Sequence, residues 1–264
     1  MAKIKKPIAL LTFFFAGTVI TSRALCAPVL TYTWKQLSDG IAYTTYAFPI
    51  GLIDNNDEES ILHAFQVDPS KLRIDVVTAS NEIEGSMASE LAKKARAMLV
   101  INGGFFTPEH KSIGLIIKDG KELSSFHNTS WWSVFSVGGG GPKISAAKDF
   151  KRTEGLRMAL QVGPRLVVDG RIQKLKASVA LRSAVGITKE GKVIIAITHG
   201  QGISLEELAK RMSTSRANGG LECPNAMGLD GGGSSQLYAK MKNFELSLPG
   251  IARVTNGLAV FQLK

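Results

Sequence analysis

The sequence has little of several residue types on which whole classes of protein depend. Only two of its 264 residues are Cys and four are His. Two cysteines exclude a disulfide scaffold and a cysteine-rich zinc module. Aromatic residues make up 7% of the chain, and the absence of any heptad or longer repeat excludes coiled coils and solenoids. With 44% hydrophobic and 20% charged residues, the chain has the composition of a globular protein that buries a substantial core.

Long apolar runs are also scarce, and the main one lies at the amino terminus. Lys3, Lys5 and Lys6 precede an apolar run over residues 8–20. The run is too short to cross a bilayer comfortably, and the combination is typical of a secretory signal peptide. We predict a signal peptide over residues 1–26, with cleavage between residues 24 and 27. A lipid anchor on Cys26 is disfavoured because the bulky Leu25 precedes it.

The segment that follows, residues 27–264, is expected to be exported to the periplasm or secreted, without stable membrane insertion. The whole chain has 32 Lys and Arg against 22 Asp and Glu. Four of the basic residues belong to the signal segment, so 28 basic and 22 acidic residues leave a net charge of +6. The basic residues are scattered, which argues against nucleic acid as a partner. The excess is typical of a soluble basic surface and also suits anionic glycans or phosphates; the oligomeric state stays open.

Short apolar segments separated by turn residues predict a fold rich in strands. Residues 61–67 and 72–78 have strand patterns, and the turns at 119–120, 169–170 and 189–192 predict hairpins. Residues 86–97 predict one helix, and Ser204 with Glu207 forms a capping box that opens a second. Residues 138–141 are expected to be a plain surface loop. The expected class is α+β, a single compact domain with a mixed, largely antiparallel sheet and a few helices.

A glycine-rich segment follows the apolar residues 226–229. It consists of Asp230, Gly231, Gly232, Gly233, Ser234 and Ser235. Consecutive glycines cost backbone entropy, so they indicate a bare backbone that a ligand approaches and whose N–H groups bind an anion. The alternative is a surface loop capped by Asp230. We favour a binding site, because a buried strand delivers the carboxylate to it.

Other polar residues stand at the ends of apolar segments. Asn102, Gly103 and Gly104 follow residues 98–101, and Asn102 can either bind a ligand or satisfy the backbone of a turn. The next two residues, Phe105 and Phe106, are expected in the core. Two isolated residues remain open: His199 is as consistent with a structural as with a functional role, and Arg182 is either a phosphate clamp or a surface residue.

Motifs of several well-known mechanisms are missing. The chain has no G-x-S-x-G, no GxxxxGK[ST] and no HExxH. Its His residues form no pair four positions apart, so no metal site and no cofactor are predicted, although carboxylates can still hold a divalent cation. Cys223 is either a buried free thiol or the partner of Cys26.

Several segments of the chain follow one another in a recognisable order. They are 101–106 (INGGFF), 113–120 (IGLIIKDG), 161–170 (QVGPRLVVDG), 182–188 (RSAVGIT), 223–237 (CPNAMGLDGGGSSQL) and 256–261 (NGLAVF). On these residues the chain resembles the phosphodiester glycosidase family, with most of the specificity in LDGGGSS and the upstream NGGFF. Gly228 departs from the pattern, since Asn is expected there, and the N-terminal third matches no family segment.

The resemblance implies hydrolysis of a sugar-1-phosphodiester into a free sugar and a phosphomonoester. Asp230 would act at the anomeric carbon as nucleophile or base, or stabilise an oxocarbenium-like state. Arg182 and the loop amides would hold the phosphodiester, and Asn102 and Gln161 would bind sugar hydroxyls or phosphate. Because phosphate is a weakly basic leaving group, a second carboxylate is not essential. The candidates for one are Glu109, Asp119 and Asp169.

The resulting prediction assigns catalytic roles to Asp230, Arg182 and Asn102. The predicted substrate-binding residues are Gly103, Gly104, Gln161, His199, Gly231, Gly232, Gly233, Ser234 and Ser235. The expected partner is a phosphosugar or glycan of the envelope or the extracellular space. Two alternatives remain: a phosphodiesterase that attacks phosphorus, and a glycan- or phosphosugar-binding module without catalysis.

Overall fold

A computed structural model describes residues 33–48, 59–79 and 84–263. The first strands in the chain are β1 (Lys35–Ser38), β2 (Ile41–Phe48), β3 (Ser60–Val67), β4 (Leu72–Thr78), β5 (Leu99–Asn102), β6 (Ile116–Lys118), β7 (Lys121–Ser124), β8 (Ser133–Gly138), β9 (Gly141–Ala146) and β10 (Met158–Val162). They continue with β11 (Arg165–Val168), β12 (Arg171–Ile172), β13 (Val179–Ala180), β14 (Ser183–Ile187), β15 (Val193–His199), β16 (Ile203–Ser204), β17 (Asn225–Gly228), β18 (Leu237–Met241), β19 (Phe244–Leu248) and β20 (Asn256–Gln262). The α-helices are α1 (Ala88–Ala95) and α2 (Leu205–Ser213).

The strands form one large sheet and three smaller ones. An eight-stranded sheet has the order β1-β2-β3-β15-β14-β17-β11-β12, and two five-stranded sheets have the orders β7-β6-β10-β8-β9 and β19-β18-β5-β20-β4. Strands β13 and β16 pair separately. Within the described residues every pairing between these strands is antiparallel. The fold is therefore sheet-rich and antiparallel, as expected, whereas the mixed sheet is not found there.

Local turn chemistry explains why the hairpins form where the sequence predicts them. Asp119 and Asp169 adopt positive φ angles of 48° and 47°, and each is followed by a glycine of positive φ, which matches the turns that join twisted strands. The exception is residues 138–141. They join β8 to β9 and are therefore the turn of a hairpin, not the plain loop that was expected.

The eight-stranded sheet and the two five-stranded sheets share one apolar core, and each helix covers an outer face. The main core cluster includes Phe65 and Ile195 of the eight-stranded sheet, Ile101 and Leu258 of one five-stranded sheet, and Phe135 of the other. Helix α2 packs on the opposite face of the eight-stranded sheet. Helix α1 packs on the outer face of the sheet that contains β5 and β20. The residues predicted to be catalytic lie at or next to strand ends: Asn102 ends β5, Arg182 precedes β14 and Asp230 follows β17.

The amino-terminal predictions fall outside the described residues. These predictions are the signal peptide over 1–26, its cleavage region at 24–27, and any pairing of Cys26. In the described part of the chain, no helix is long and apolar enough to cross a membrane. Cys223 is a free, buried thiol in that part.

A glycine in β14 allows α2 to pack closely on the eight-stranded sheet. A Cβ atom at Gly186 would lie 2.6 Å from Met212 Cε and 2.7 Å from Cys223 Sγ. We expect Gly186→Ala to lower the free energy of unfolding by about 1–3 kcal/mol, because the extra methyl group overpacks this contact. Urea denaturation measures the change. Gly139→Ala is the matched control: its Cβ would meet nothing within 4 Å. Equal stability of the two variants would contradict the packing argument.

Candidate active site

A cavity of about 720 Å³ opens where β14 begins and β17 ends, next to the segment after β5. Its polar lining comes from the starts and ends of these strands and from the residues just before β13. The residues that line it are Phe105, Trp131, Gly163, Pro164, Lys174, Leu175, Lys176, Ser178, Ala180, Arg182, Ser183, Leu205, Leu229, Asp230, Gly231 and Gly232. A mostly apolar cavity of this size with a few convergent polar groups is typical of a small-molecule site.

The buried side chain of Asn102 connects the two sheets behind this cavity. Asn102 ends β5, and its Nδ2 donates a hydrogen bond of 2.6 Å to the carbonyl oxygen of Asp230. Its Oδ1 accepts hydrogen bonds from Ser183 Oγ at 2.7 Å and from the backbone amide of Gln236 at 3.2 Å. The Asp230 amide in turn donates to the carbonyl of Gly103 at 3.0 Å. Both backbone polar groups of Asp230 are thereby fixed to the end of β5.

The carboxyl group of Asp230 is in a partly buried position at the cavity wall. Burial raises the pKa of this carboxyl above its ordinary value, whereas hydrogen bonds from the Ser234 hydroxyl and the Gly231 amide act in the opposite direction. Raised carboxyl pKa values of this origin are common at catalytic positions. Asp230 is also the only acidic residue that lines the cavity in the described chain.

Cationic side chains line the same cavity as this carboxylate. Arg182 is half-buried. Its Nε donates a hydrogen bond to the Ile203 carbonyl at 3.2 Å, and its Nη2 donates one to the Ser178 carbonyl. Burial lowers the pKa of Arg182, but a guanidinium remains charged at neutral pH. Lys174 and Lys176 line the same cavity. The cavity therefore attracts an anionic ligand.

Aromatic side chains form another part of the wall. Phe105 and Trp131 both line the cavity, with ring centroids 6.2 Å apart. Trp132 packs behind them, 5.0 Å from Phe105 and 5.5 Å from Trp131. Trp131 is 53% exposed, so its ring is available to a ligand. The sequence predicts Phe105 in the core. In the structure it packs against the core but is only partly buried, because it also lines the cavity.

The stretch of sequence that builds this cavity, residues 95–261, matches the phosphodiester glycosidase family. This chain belongs to that family. The matched stretch includes every segment on which the resemblance rests, from residue 101 to residue 261, so the resemblance is confirmed.

This family member is similar to one protein in sequence and to two solved structures in fold, all at low sequence identity. YigE, an uncharacterized protein of Escherichia coli, is 26% identical over 160 residues, which are 54% of this chain and 63% of YigE. This chain thus spans less than two thirds of that relative. The catalytic domain of zebrafish N-acetylglucosamine-1-phosphodiester alpha-N-acetylglucosaminidase, auto-inhibited by its pro-peptide, matches with a TM-score of 0.64 at 19% identity, over 89% of each chain. A Synechocystis protein matches with a TM-score of 0.58 at 16% identity, over 88% of this chain and 64% of its own.

The predicted site residues of this phosphodiester glycosidase family member fall into three groups. Arg182, Asp230, Gly231 and Gly232 line the cavity. Asn102, Gly103 and Ser234 are outside the lining and form hydrogen bonds with Asp230, whereas Gly104 donates one to Asn256. The remaining predicted residues are Gln161, His199, Gly233 and Ser235, and they lie outside the cavity lining. Their proposed contacts with substrate stay predictions.

Close approach of backbones explains the glycines after β5. A Cβ atom at Gly103 would lie only 2.1 Å from Asn256 Oδ1. That oxygen accepts a hydrogen bond of 2.7 Å from the Gly104 amide, and the Gly103 amide donates to the Asn256 carbonyl at 3.0 Å. These glycines therefore allow the turn after β5 to dock on β20.

Two of the predicted binding residues have structural partners away from the cavity. The side-chain amide of Gln161 forms hydrogen bonds of 2.7–2.9 Å with backbone groups of Leu115 and His127. The exposed His199 lies at the end of β15 with its ring 6.2 Å from that of His63. Burial, together with the charge of His199, lowers the pKa of His63 to about 4.

The amides of the glycine loop are largely used within the protein. The Gly232 amide donates to the Leu181 carbonyl at 2.8 Å, and the amides of Ser234 and Ser235 donate to the carbonyls of Gly231 and Gly232. Gly233 accepts hydrogen bonds from the 251–252 backbone at 2.9 Å. The side chains of Arg182 and the lysines thus offer an anion more donors than the loop amides do.

Several residues that shape the site were not predicted from the sequence. They are Phe105 and Trp131 of the aromatic wall, Lys174 and Lys176, Ser183, Gln236 and Asn256. Ser183 directly follows Arg182 in a family segment, which is the only signal that could have found it. The candidates for a second carboxylate do not line the cavity: Asp119 and Asp169 occupy hairpin turns, and Glu109 is exposed.

No group of three or more His, Cys, Asp and Glu side chains converges within the described residues in a way that could hold a metal ion. In the cavity, Asp230 is accompanied by cations instead of further carboxylates. The donor set there is suited to an anion and not to a hard divalent cation.

The hydrogen bond from the Ser234 hydroxyl lowers the pKa of the Asp230 carboxyl, against the larger effect of burial. We expect Ser234→Ala to raise the pKa of the Asp230 carboxyl, because it removes a hydrogen bond that favours the carboxylate. Carbon-13 NMR of protein labelled at aspartate Cγ measures this pKa, with Asp230→Asn to assign the signal. Ser235→Ala is the matched control, since Ser235 Oγ is buried without a hydrogen-bond partner in the described structure. An unchanged pKa in Ser234→Ala would refute the assignment.

Proposed function

We propose that this chain is an exported hydrolase that cleaves the glycosidic bond of a sugar-1-phosphodiester. The products are a free sugar and a phosphomonoester, and the substrates are glycans of the envelope or the extracellular space. The observation that carries the proposal is that Asp230, the one carboxylate among the described residues of the cavity lining, shares the cavity with three cationic side chains in a phosphodiester glycosidase family member. Export rests on the signal-like pattern of residues 1–27.

The cationic side of the cavity is suited to the phosphodiester. Arg182 is held rigidly by Ile203 and Ser178, while its Nη1 has no hydrogen-bond partner among the described residues. A guanidinium in this state can donate to a phosphate oxygen with little loss of side-chain freedom. As the C1–O bond breaks, its electron pair leaves with the phosphate, and the adjacent cations stabilise the additional charge.

Asp230 acts at the other end of the bond. As a carboxylate, it attacks the anomeric carbon, activates water towards it, or stabilises an oxocarbenium-like state. Its backbone is fixed on both sides by Asn102 and Gly103, so the carboxylate is delivered in a defined position. The described lining of the cavity has no second carboxylate, which fits this reaction because a phosphomonoester leaves without strong general-acid help.

The sugar ring is placed against the aromatic wall. Trp131 presents a half-exposed face at the cavity and Phe105 lies beside it. Apolar faces of sugar rings pack on such side chains, which excludes water from the bond being cleaved. This orientation leaves the phosphate on the side of Arg182.

Turnover of the methyl diester of N-acetylglucosamine-1-phosphate in ¹⁸O-labelled water tests the proposed bond cleavage. We expect N-acetylglucosamine and unlabelled methyl phosphate, because water attacks carbon and the phosphate keeps all of its oxygens. Mass spectrometry of the methyl phosphate gives the answer, since phosphate oxygens do not exchange with water under these conditions. Label in the phosphate would move the protein to the phosphodiesterase class.

A pair of matched variants tests the role of Asp230. We expect Asp230→Asn to lower kcat by a factor on the order of a thousand or more, because the carboxylate acts in the transition state. Asp169→Asn is the control: it makes the same chemical change in a hairpin turn outside the cavity, at a positive φ that Asn also adopts. Equal activity of the two variants would exclude Asp230 as the catalytic carboxylate. Binding without turnover by the unmutated chain would favour the binding-module alternative.

A further inference from the structure

The cavity holds more positive charge than one phosphodiester requires. Arg182, Lys174 and Lys176 line it together with the single acid Asp230. Neither lysine forms an ion pair with any described residue, and both are exposed. With Asp230 ionised, a singly charged phosphodiester would leave one of these cations uncompensated. An uncompensated cation in a binding cavity indicates a ligand with a further negative charge.

The two lysines belong to one segment that is held firmly beside Arg182. At its start, the Gln173 amide donates to the Leu166 carbonyl at 3.0 Å. In its middle, Leu175 packs against the core cluster under α2. At its end, Ser178 accepts hydrogen bonds from the Arg182 guanidinium through its carbonyl and its hydroxyl. The lysines on either side of Leu175 are thus fixed at the cavity, not carried on a free loop.

The spacing places these cations next to the Arg182 site. Lys176 is two residues from Ser178, so their Cα atoms are separated by at most about 7 Å. Lysine side chains are long and their ammonium groups bind phosphate oxygens as point charges. The lysines can therefore reach a second phosphate that adjoins the one held by Arg182. In the proposed function the sugar packs against the aromatic wall of Phe105 and Trp131. A second phosphate beside Arg182 therefore belongs to the part of the substrate that leaves.

We propose that Lys174 and Lys176 form a second phosphate subsite beside Arg182, which selects substrates whose leaving group has an additional phosphate. This inference rests on the proposed function, since it concerns the leaving group of the same reaction. It deepens that function by defining the substrate class: diphosphate-linked sugars or sugars within a phosphate-containing polymer.

The test compares two substrates with the same sugar. The methyl diester of N-acetylglucosamine-1-phosphate has one phosphate, and UDP-N-acetylglucosamine has two. We expect the double variant Lys174→Ala/Lys176→Ala to lower the ratio of kcat/KM for UDP-N-acetylglucosamine to that for the methyl diester by about tenfold. The variant Lys174→Arg/Lys176→Arg keeps both charges and should retain the ratio. In the unmutated chain, the ratio should fall as salt is added, because these exposed charges are screened.

A matched control removes the same charge elsewhere. Lys121 and Lys151 are exposed, make no ion pair in the described structure and lie outside the cavity lining. Lys121→Ala/Lys151→Ala should therefore leave the ratio unchanged. If both double-alanine variants keep the parental ratio while the methyl diester is hydrolysed, the subsite is refuted and the proposed function stands.

Binding separates the two proposals further. Calorimetry measures the affinity for UDP-N-acetylglucosamine without turnover when the protein carries Asp230→Asn. The affinity of this variant is compared with that of Asp230→Asn combined with Lys174→Ala/Lys176→Ala. Weaker binding only when Lys174 and Lys176 are replaced supports the subsite. Equal binding in all backgrounds refutes it. Failure of the unmutated chain to hydrolyse either substrate refutes the proposed function, whatever the affinities are.

Discussion

The arrangement of the site depends on the hydrogen bonds of one buried amide, that of Asn102. This side chain lies at the end of β5 in a five-stranded sheet. It contacts Ser183, which begins β14, and Asp230, which follows β17, and both of these strands belong to the eight-stranded sheet. An amide buried between two sheets must have its donors and acceptors satisfied, so it allows few relative positions of the strands. Gln236 completes the set through its backbone amide, and its side chain connects onwards to the start of α1 and to Ala252. The position of Asp230 is thus a consequence of how the two sheets pack.

This constraint explains why the residues of the family segments have different tasks. Asn102 and Gly103 lie behind the cavity, where they hold the backbone of Asp230. Arg182 and Asp230 reach into the cavity from neighbouring strands, and they oppose each other in charge. A carboxylate and several cations in one partly closed cavity are suited to a substrate that is itself anionic. The hydrolysis of a glycosyl phosphate that we propose fits this arrangement, because in it the cations stabilise the group that leaves and the carboxylate acts on the carbon that remains.

Much of the fold could be predicted from the sequence because local signals determine it. The Asp-Gly turns, the capping serine of α2 and the alternating strand residues all act over a few positions, and the hairpins and helices lie where these signals place them. The turn at 138–141 has no such signal, since four glycines fit a loop as well as a hairpin. The positions of Asp230 and Asn102 after apolar segments indicated a binding site, and the family resemblance added Arg182. Neither signal could find Trp131, Lys174 or Lys176, because they reach the cavity through long-range packing. For the same reason, Gln161 and His199 could not be recognised as residues with partners outside the cavity lining.

The crystal structure of Asp230→Asn with the intact methyl diester of N-acetylglucosamine-1-phosphate would show which atom of the substrate faces residue 230. We expect the sugar to lie against Trp131, phosphate oxygens to contact Arg182, and the anomeric carbon to lie within about 3.5 Å of the residue 230 side chain. A diester bound outside this cavity, or bound with its phosphorus instead of its anomeric carbon facing residue 230, would contradict the proposed role of Asp230.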